Sequence, residues 1–401
     1  MEKQILEFNG IAKKEGRKYS KHRFIYTEIK KRLGKKIFIG IIGPRGVGKT
    51  VLLRQFSSLL DDSFYISLDM VALGRPLFDV AKELEEGGVK YLLLDEVHFL
   101  PNFAREIKKV YDFLSIQIIF TGSVSISIYD SVYDLSRRVR VFHLYPFSFD
   151  EFLYFTKRKS LEQIGFSDLL DLGKSKQYYG KFIQFEHLFD EYLKGLLFPF
   201  TLESGLEKSL FSNLLNKVLR KDFVGAGKIK INELEDIWKV IKFIGLSSVE
   251  DISYSSVSSN TGINKYRVEK YISLLERSFI LNVIQPKGTN VTKEPKILME
   301  LPFRLLYKTF DSCLGGIRED FFAEASKMNS LEINYLKSTR GEKVPDYYLP
   351  EKNIIFEIGG KSKTIKQFKG FPLKRKLILT HPGKISENHR PLVMYGMLEK
   401  N

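Results

Sequence analysis

Residues Gly43-Pro44-Arg45-Gly46-Val47-Gly48-Lys49-Thr50, with Val51 after them, fit the pattern GxxxxGK[ST]. Glycines at this spacing let successive backbone N–H groups turn inward around the β- and γ-phosphates of a nucleotide. The Lys49 ammonium would bridge those phosphates, and the Thr50 hydroxyl would offer a ligand to Mg²⁺. Further on stands Leu92-Leu93-Leu94-Asp95-Glu96, three apolar residues and then two carboxylates. Asp95 would hold the metal, directly or through water, and Glu96 would polarise an attacking water. The alternative for this pair is to cap the following turn. Thr121 and Ser123 close another apolar run, where either could sense the γ-phosphate or serve turn chemistry alone. Arg137, Arg138 and Arg140 are candidates for an arginine that reaches a neighbouring copy's phosphates, with Arg138 the chosen one. That role implies a homo-oligomer; the alternative is a solvated basic edge.

These groups must be placed by strands. IFIGIIG (37–43) is a continuous apolar run ending in glycine, as a buried parallel strand requires. Similar runs follow at 63–69, 90–97, 116–123 and 139–146, separated by stretches long enough for helices. The pattern predicts an α/β domain with a mostly parallel sheet. Helical patterns dominate from there to about residue 285, including 186–200, 206–223 and the amphipathic 231–246. Short apolar strands then follow at 345–349, 353–360 and 373–380, and 392–398 reads as a strand or a helix.

Four segments carry the similarity to known proteins: GPRGVGKTVLLRQF, YLLLDEVHFLPNF, IIFTGSVS and RRVRVFHLYPFSFDEFL. Together they resemble the AAA-like, STAND-related P-loop ATPases of archaea and bacteria. Relatives of this kind carry a following domain of unknown function, whose pattern is visible in DEYLKGLLFPF (190–200), LRKDF (219–223) and NVTKEPKI (290–297). The resemblance implies ATP and Mg²⁺ as cofactors and hydrolysis as the reaction. No guanine-reading NKxD motif is visible.

Residues 253–284 resemble a winged helix-turn-helix. Asn264 is a good N-cap. Ile263, Tyr266, Tyr271, Leu274, Leu275 and Phe279 are expected to bury one face of the second helix. Lys265, Arg267 and Lys270 lie off that face and are candidate DNA contacts; packing between domains is the alternative. Near the C-terminus, Glu324, Asp346 and Glu357 resemble the carboxylates of the PD-(D/E)xK nuclease fold. That fold places a lysine two residues after the second carboxylate to orient water. Here the position is Gly359, and Lys361 or Lys363 must substitute. The reading is a degenerate nuclease-like module.

The expected domains are a P-loop ATPase domain with a basic leading segment (1–155), a helical lid or linker (156–230), a winged helix (231–290) and a small α+β nuclease-like domain (291–401). The chain has 401 residues and a net charge of +16. Residues 1–40 carry +8 and residues 361–401 another +8, so the body is balanced. Two basic ends fit a polyanionic partner such as DNA, or merely aid solubility. The single cysteine excludes an intrachain disulfide and a cysteine-rich zinc site. No apolar run reaches the roughly 20 residues that span a bilayer, so no membrane role and a cytoplasmic location are expected. A metabolic kinase is disfavoured, since no acceptor-substrate motif accompanies the phosphate loop.

Overall fold

A computed structural model describes residues 3–123, 135–225, 227–288, 294–336, 344–368 and 375–399. The chain forms two compact units. The first is Met1–Pro146 with Arg220–Ala226, and the second is Phe147–Leu219 with Gly227–Asn401. The chain leaves the first unit after residue 146, returns for residues 220–226, and the segments 231–290 and 291–401 share one unit.

Five strands of the first unit lie within the apolar runs that predict them: β1 (Phe38–Gly43), β2 (Ser63–Ser67), β3 (Tyr91–Asp95), β4 (Gln117–Ser123) and β5 (Val139–His143). All neighbours pair in parallel, in the order β2-β3-β4-β1-β5. β1, β2 and β4 are buried along their whole length, which explains why their sequences do not alternate. The order sets β4 between β1 and β3. Gly43 thereby faces Ser123 across one pair, and Leu94 faces Phe120 across the next. The phosphate loop, the end of β4 and the end of β3 stand side by side at the C-terminal edge of the sheet.

The unit also holds α1 (Lys3–Lys18), α2 (Ile25–Lys30), α3 (Lys49–Leu59), α4 (Leu77–Glu86) and α5 (Phe103–Phe113). α1 covers the edge strand β2, where the Tyr65 amide donates to Asn9 Oδ1 at 3.0 Å. The segment after α1 is held too: Gln55 Nε2 donates to the carbonyls of Tyr19 and Lys21 at 2.8 and 2.9 Å. The basic N-terminal stretch is thus built into the domain and is not a free tail.

The second unit begins with α6 (Phe149–Lys157) and contains α7 (Lys208–Lys217), α8 (Leu234–Leu246), α9 (Tyr254–Thr261) and α10 (Lys265–Arg277). β6 (Leu281–Ile284) and β7 (Lys296–Met299) form an antiparallel pair after α10. The long helix α11 (Phe310–Met328) packs on a second sheet through Phe322, whose ring lies 5.2 Å from Phe356 and 4.6 Å from Tyr395. That sheet comprises β8 (Asn334–Tyr335), β9 (Tyr347–Leu349), β10 (Ile354–Gly359), β11 (Arg375–Thr380) and β12 (His389–Pro391), in the order β12-β11-β10-β9-β8. β10, β11 and β12 run parallel, while β8 and β9 join antiparallel.

Two expectations fail here. Residues 186–200 are not one helix but short 3₁₀, α and π turns, broken where Gly195 adopts φ 137°. Tyr266 is 77% exposed, while Val268 and Ile272 join Tyr271, Leu274 and Leu275 in the core. The cap at Asn264 fixes the helical phase, and the 3.6-residue period turns position 266 to solvent. Among the described residues no helix is long and apolar enough to cross a membrane.

Candidate functional site

The phosphate loop runs from the buried end of β1 into α3. Gly46 and Gly48 adopt φ 84° and 90°, and Gly48 is the residue before the first turn of α3. Left-handed backbone at these points aims consecutive N–H groups inward, and L residues with a Cβ resist it. Val47 is fully buried, and its carbonyl accepts from Arg23 Nη1 at 2.7 Å. Arg23 also donates to the Tyr145 carbonyl at 2.8 Å. A basic residue of the N-terminal segment therefore braces the loop from behind. Lys49 is only 5% exposed, and its Nζ donates to the carbonyls of Gly43 and Pro44 at 2.9 Å each. Burial pulls its ammonium down, and the nearby Glu96 charge opposes that.

Asp95 lies at the end of β3, buried. Tyr65 OH donates to one of its oxygens at 2.8 Å, and the Thr121 hydroxyl donates to the other. Burial pushes the Asp95 carboxyl up, and the charge of Glu96 adds to this against those hydrogen bonds. Glu96 follows with φ 56°, a left-handed backbone that glycine would prefer. Its amide donates to Thr121 Oγ1 at 3.0 Å, and its Oε2 accepts from the Ser123 amide at 3.2 Å. Burial raises the Glu96 carboxyl, but the hydrogen bond to His98 and the charges of Lys49, His98 and Arg45 outweigh it and hold it at about 2. Thr121 thus ties both acidic residues to β4. Ser123 Oγ lies 3.4 Å from the His98 ring nitrogens.

Arg45 and Asp222 form a pair that sequence reasoning missed. Arg45 Nε donates to Asp222 Oδ2 at 2.8 Å and Nη2 to Oδ1 at 2.5 Å. Asp222 belongs to the returning segment Arg220–Ala226, inside the π-type turn Val218–Val224. Arg45 Nη1 also stands 3.7 Å from Glu96 Oε1, and His98 Nε2 stands 3.9 Å from Asp222. The LRKDF run marked Asp222 as patterned, but nothing in it pointed to the loop.

Arg138 is not at this site. It immediately precedes β5, at the N-terminal end of the parallel sheet, and bonds Asp112 at 2.9 and 3.2 Å. Every strand of a parallel sheet starts on the side opposite the phosphate loop, so Arg138 does not face the loop of its own chain. Arg137 and Arg140 are exposed near the same end.

In the second unit, the three candidate DNA contacts on α10 are engaged by acids. Lys265 pairs with Glu294, Arg267 with Asp236 at 2.8 Å, and Lys270 with Glu233 at 3.3 Å. Asn264 caps α10 as expected, accepting from the Tyr266 amide at 2.9 Å.

The C-terminal carboxylates are rearranged relative to expectation. Glu324 points away from the others: its Oε2 accepts from the Leu301 amide at 3.1 Å, beside Glu300. The helix residue facing Asp346 and Glu357 is Glu319, which accepts from Tyr347 OH at 2.6 Å and pairs with Lys296 at 2.5 Å. Asp346 accepts from the Ile358 amide at 2.7 Å, and burial with the charges of Glu319 and Glu357 pushes it up to about 7. Lys361 is exposed and unengaged with the cluster, whereas Lys363 donates to Glu357. A Cβ built at Gly359 would stand 2.6 Å from Lys363 Cγ and 2.7 Å from its Cε. The Lys363 stem therefore fills the space over Gly359 that a side chain at 359 would take. Among the described residues no group of three His, Cys, Asp or Glu side chains stands at metal-binding spacing.

Residues 35–153 match the AAA domain family, and residues 186–299 match a domain family of unknown function. An uncharacterized protein of Methanocaldococcus jannaschii is 28% identical over 389 residues, spanning 86% of this chain and 82% of that protein. A Walker-type ATPase of Pyrococcus abyssi shows 17% identity over 68% of this chain and 91% of its own, with a TM-score of 0.39. The AMPPCP-bound DnaA of Aquifex aeolicus shows 17% identity over 63% of this chain and 86% of its own, with a TM-score of 0.24. Residues 35–153, the stretch similar to the AAA domain family, contain both the phosphate loop and the carboxylates at the end of β3.

Proposed function

We propose that the chain is a Mg²⁺-dependent ATP-binding and ATP-hydrolysing switch acting on or with DNA. The observation that carries the nucleotide part is one hydrogen-bonded array, in which Asp95, Thr121, Glu96 and Ser123 are linked at the sheet edge beside Lys49. Gly43 to Val51 would cradle the phosphates through backbone N–H groups. Thr50 and Asp95 offer hard oxygen donors of the kind Mg²⁺ takes, and the raised Asp95 carboxyl is a group that a cation would hold ionised. When bound, the metal supplies charge neutralisation between the β- and γ-phosphate oxygens. Lys49 would turn its ammonium from the loop carbonyls to the phosphates. Glu96, held ionised, accepts a hydrogen bond from the attacking water and orients it in line. Little proton removal is needed early in a loose phosphoryl-transfer transition state, so a weakly basic carboxylate suffices.

For the second unit, α8, α9 and α10 followed by the β6–β7 pair support the winged-helix reading. A second reading, a metal-dependent nuclease, is favoured by one observation only: Lys363 lies over Gly359 and bonds Glu357. Its test is Mn²⁺- or Mg²⁺-dependent DNA cleavage that disappears in Glu357→Ala.

The deciding experiment measures ATP turnover with and without duplex DNA. Lys49→Ala should lose nucleotide binding. Glu96→Gln should keep binding and lose about 100-fold or more in turnover. Wild-type turnover in Glu96→Gln would remove Glu96 from the mechanism. Turnover indifferent to DNA would redirect the partner to protein.

A further inference from the structure

The chain has one tryptophan, Trp238, and it does not sit with the core. The buried side of α8 is made by Leu234, Ile237, Val240, Ile241 and Ile244. Trp238 instead falls with Glu235, Lys239 and Lys242, at spacings of three and four along the polar side of the helix. These residues, with Lys208 of α7 and Tyr307, line an open groove of about 590 Å³. The Tyr307 ring is pressed onto α8, 2.2 Å from where a Cβ at Gly245 would stand. The groove thus has one fixed aromatic wall and one partly buried indole.

Charge separates this groove from the expected DNA face. On α10 each of the three basic candidates is bound to an acid. In the groove only Lys239 is paired, with Glu235 at 2.9 Å. Lys208 and Lys242 have no acidic partner among the described residues. An aromatic surface flanked by uncommitted ammonium groups suits a ligand that is flat and apolar at one point and anionic on either side.

We infer that this groove binds single-stranded nucleic acid, with a base stacked on Trp238 and neighbouring phosphates held by Lys208 and Lys242. A duplex is disfavoured because its base faces are already stacked and closed to an indole. This names the form of nucleic acid within the DNA reading above and rests on that part alone, since the groove needs no nucleotide.

The lone tryptophan makes the test direct. The full chain is titrated with a labelled oligo(dT) in the absence of ATP, following both intrinsic fluorescence and oligonucleotide anisotropy. Quenching of Trp238 should accompany binding. Affinity should fall as salt rises, and the slope of log K against log salt should lose about 1.4 when Lys208→Ala and Lys242→Ala are combined, about 0.7 per phosphate contact. Trp238→Ala should weaken binding roughly 5- to 150-fold, while unchanged ATP turnover and circular dichroism show that the fold is intact. Binding that leaves Trp238 fluorescence and the Trp238→Ala affinity unchanged overturns the inference. So does equal affinity for a duplex, and so does poly-glutamate competing as well as oligo(dT), which would make the partner an acidic protein. Lys49→Ala should bind the oligonucleotide normally. Duplex-stimulated ATP turnover without Trp238 quenching would leave the DNA reading standing and this groove without a role in it.

Discussion

Both carboxylate oxygens of Asp222 hold the guanidinium of Arg45, a phosphate-loop residue 177 positions earlier in the chain. Asp222 is 4% exposed and so cannot fall back on water. Removing one member of such a pair leaves the other charge poorly solvated, at about 3–5 kcal/mol for a fully buried case. Glu96 at 3.7 Å can take over part of the guanidinium, so the lower end applies. Asp222→Asn should lower the melting temperature by several degrees without ligand. It also removes a negative charge beside the loop and frees Arg45 for an anion. ATP should therefore bind about three- to tenfold more tightly. Calorimetric melts and equilibrium nucleotide titrations check both. Unchanged ATP affinity would mean that Asp222 only braces the loop.

Glu96 is held at about 2 by His98, Lys49 and Arg45 against its burial. The sign follows from a depressed carboxyl: it is ionised throughout the range above about pH 4, and its share of stability is lost only as pH falls towards 2. The turnover defect of Glu96→Gln should therefore be the same fold at pH 5.5 and at pH 8. A ratio that shrinks at pH 5.5 would show Glu96 titrating there. The left-handed backbone at this position, φ 56°, predicts a further separation. Glu96→Gly should melt no lower than Glu96→Gln, since strain of about 1–3 kcal/mol is relieved, yet be equally inactive.

The legible parts of this protein were the local ones. The phosphate loop and the carboxylates after LLL are contiguous runs, and continuous apolar stretches gave five strands because both sheet faces are covered. Asp222 was not legible as a loop partner, because only the chain's return at 220–226 brings it there. Glu319 was passed over for Glu324 because α11 buries Phe321, Phe322, Ala323, Glu324, Ala325 and Ser326 in succession. With burial nearly all round, periodicity does not say which side meets the sheet. Arg138, expected to serve a neighbouring copy, stands at the end of the sheet away from its own chain's phosphate loop, as its place before a parallel strand dictates.

Asp346 gives a pH signature of its own. Its carboxyl is raised to about 7 by burial and by Glu319 and Glu357. In the unfolded chain it ionises near 4. Between these values the folded state holds an extra proton, so the contribution is present below pH 4 and is lost as pH rises through 7, by up to about 1.4 kcal/mol per pH unit. Asp346→Asn cannot ionise and should melt higher than wild type at pH 8, with the advantage shrinking as pH falls and vanishing only near pH 4. An advantage that is constant with pH would place its origin outside this carboxyl.

Lys363 and Gly359 supply the sharpest packing test. Glu357 is 2% exposed, Lys363 is the cation bonded to it, and among the described residues its second oxygen has no hydrogen-bond partner. The Lys363 stem reaches Glu357 only across the bare backbone of Gly359, within 2.7 Å of where a Cβ would sit. Gly359→Ala should push that stem aside and leave Glu357 short of its cation. The φ of Gly359 lies outside the left-handed range, so an alanine is not strained by the backbone itself. Burial raises the Glu357 carboxyl, so the loss should be smaller at low pH, where it takes up a proton more readily, and grow as pH rises and its charge is left uncompensated. Lys363→Met should reproduce the same pH-dependent loss, and the double variant should lose little more than either alone, because both remove one contact. Additive losses in the double variant would show that Gly359 is needed for something other than the passage of Lys363.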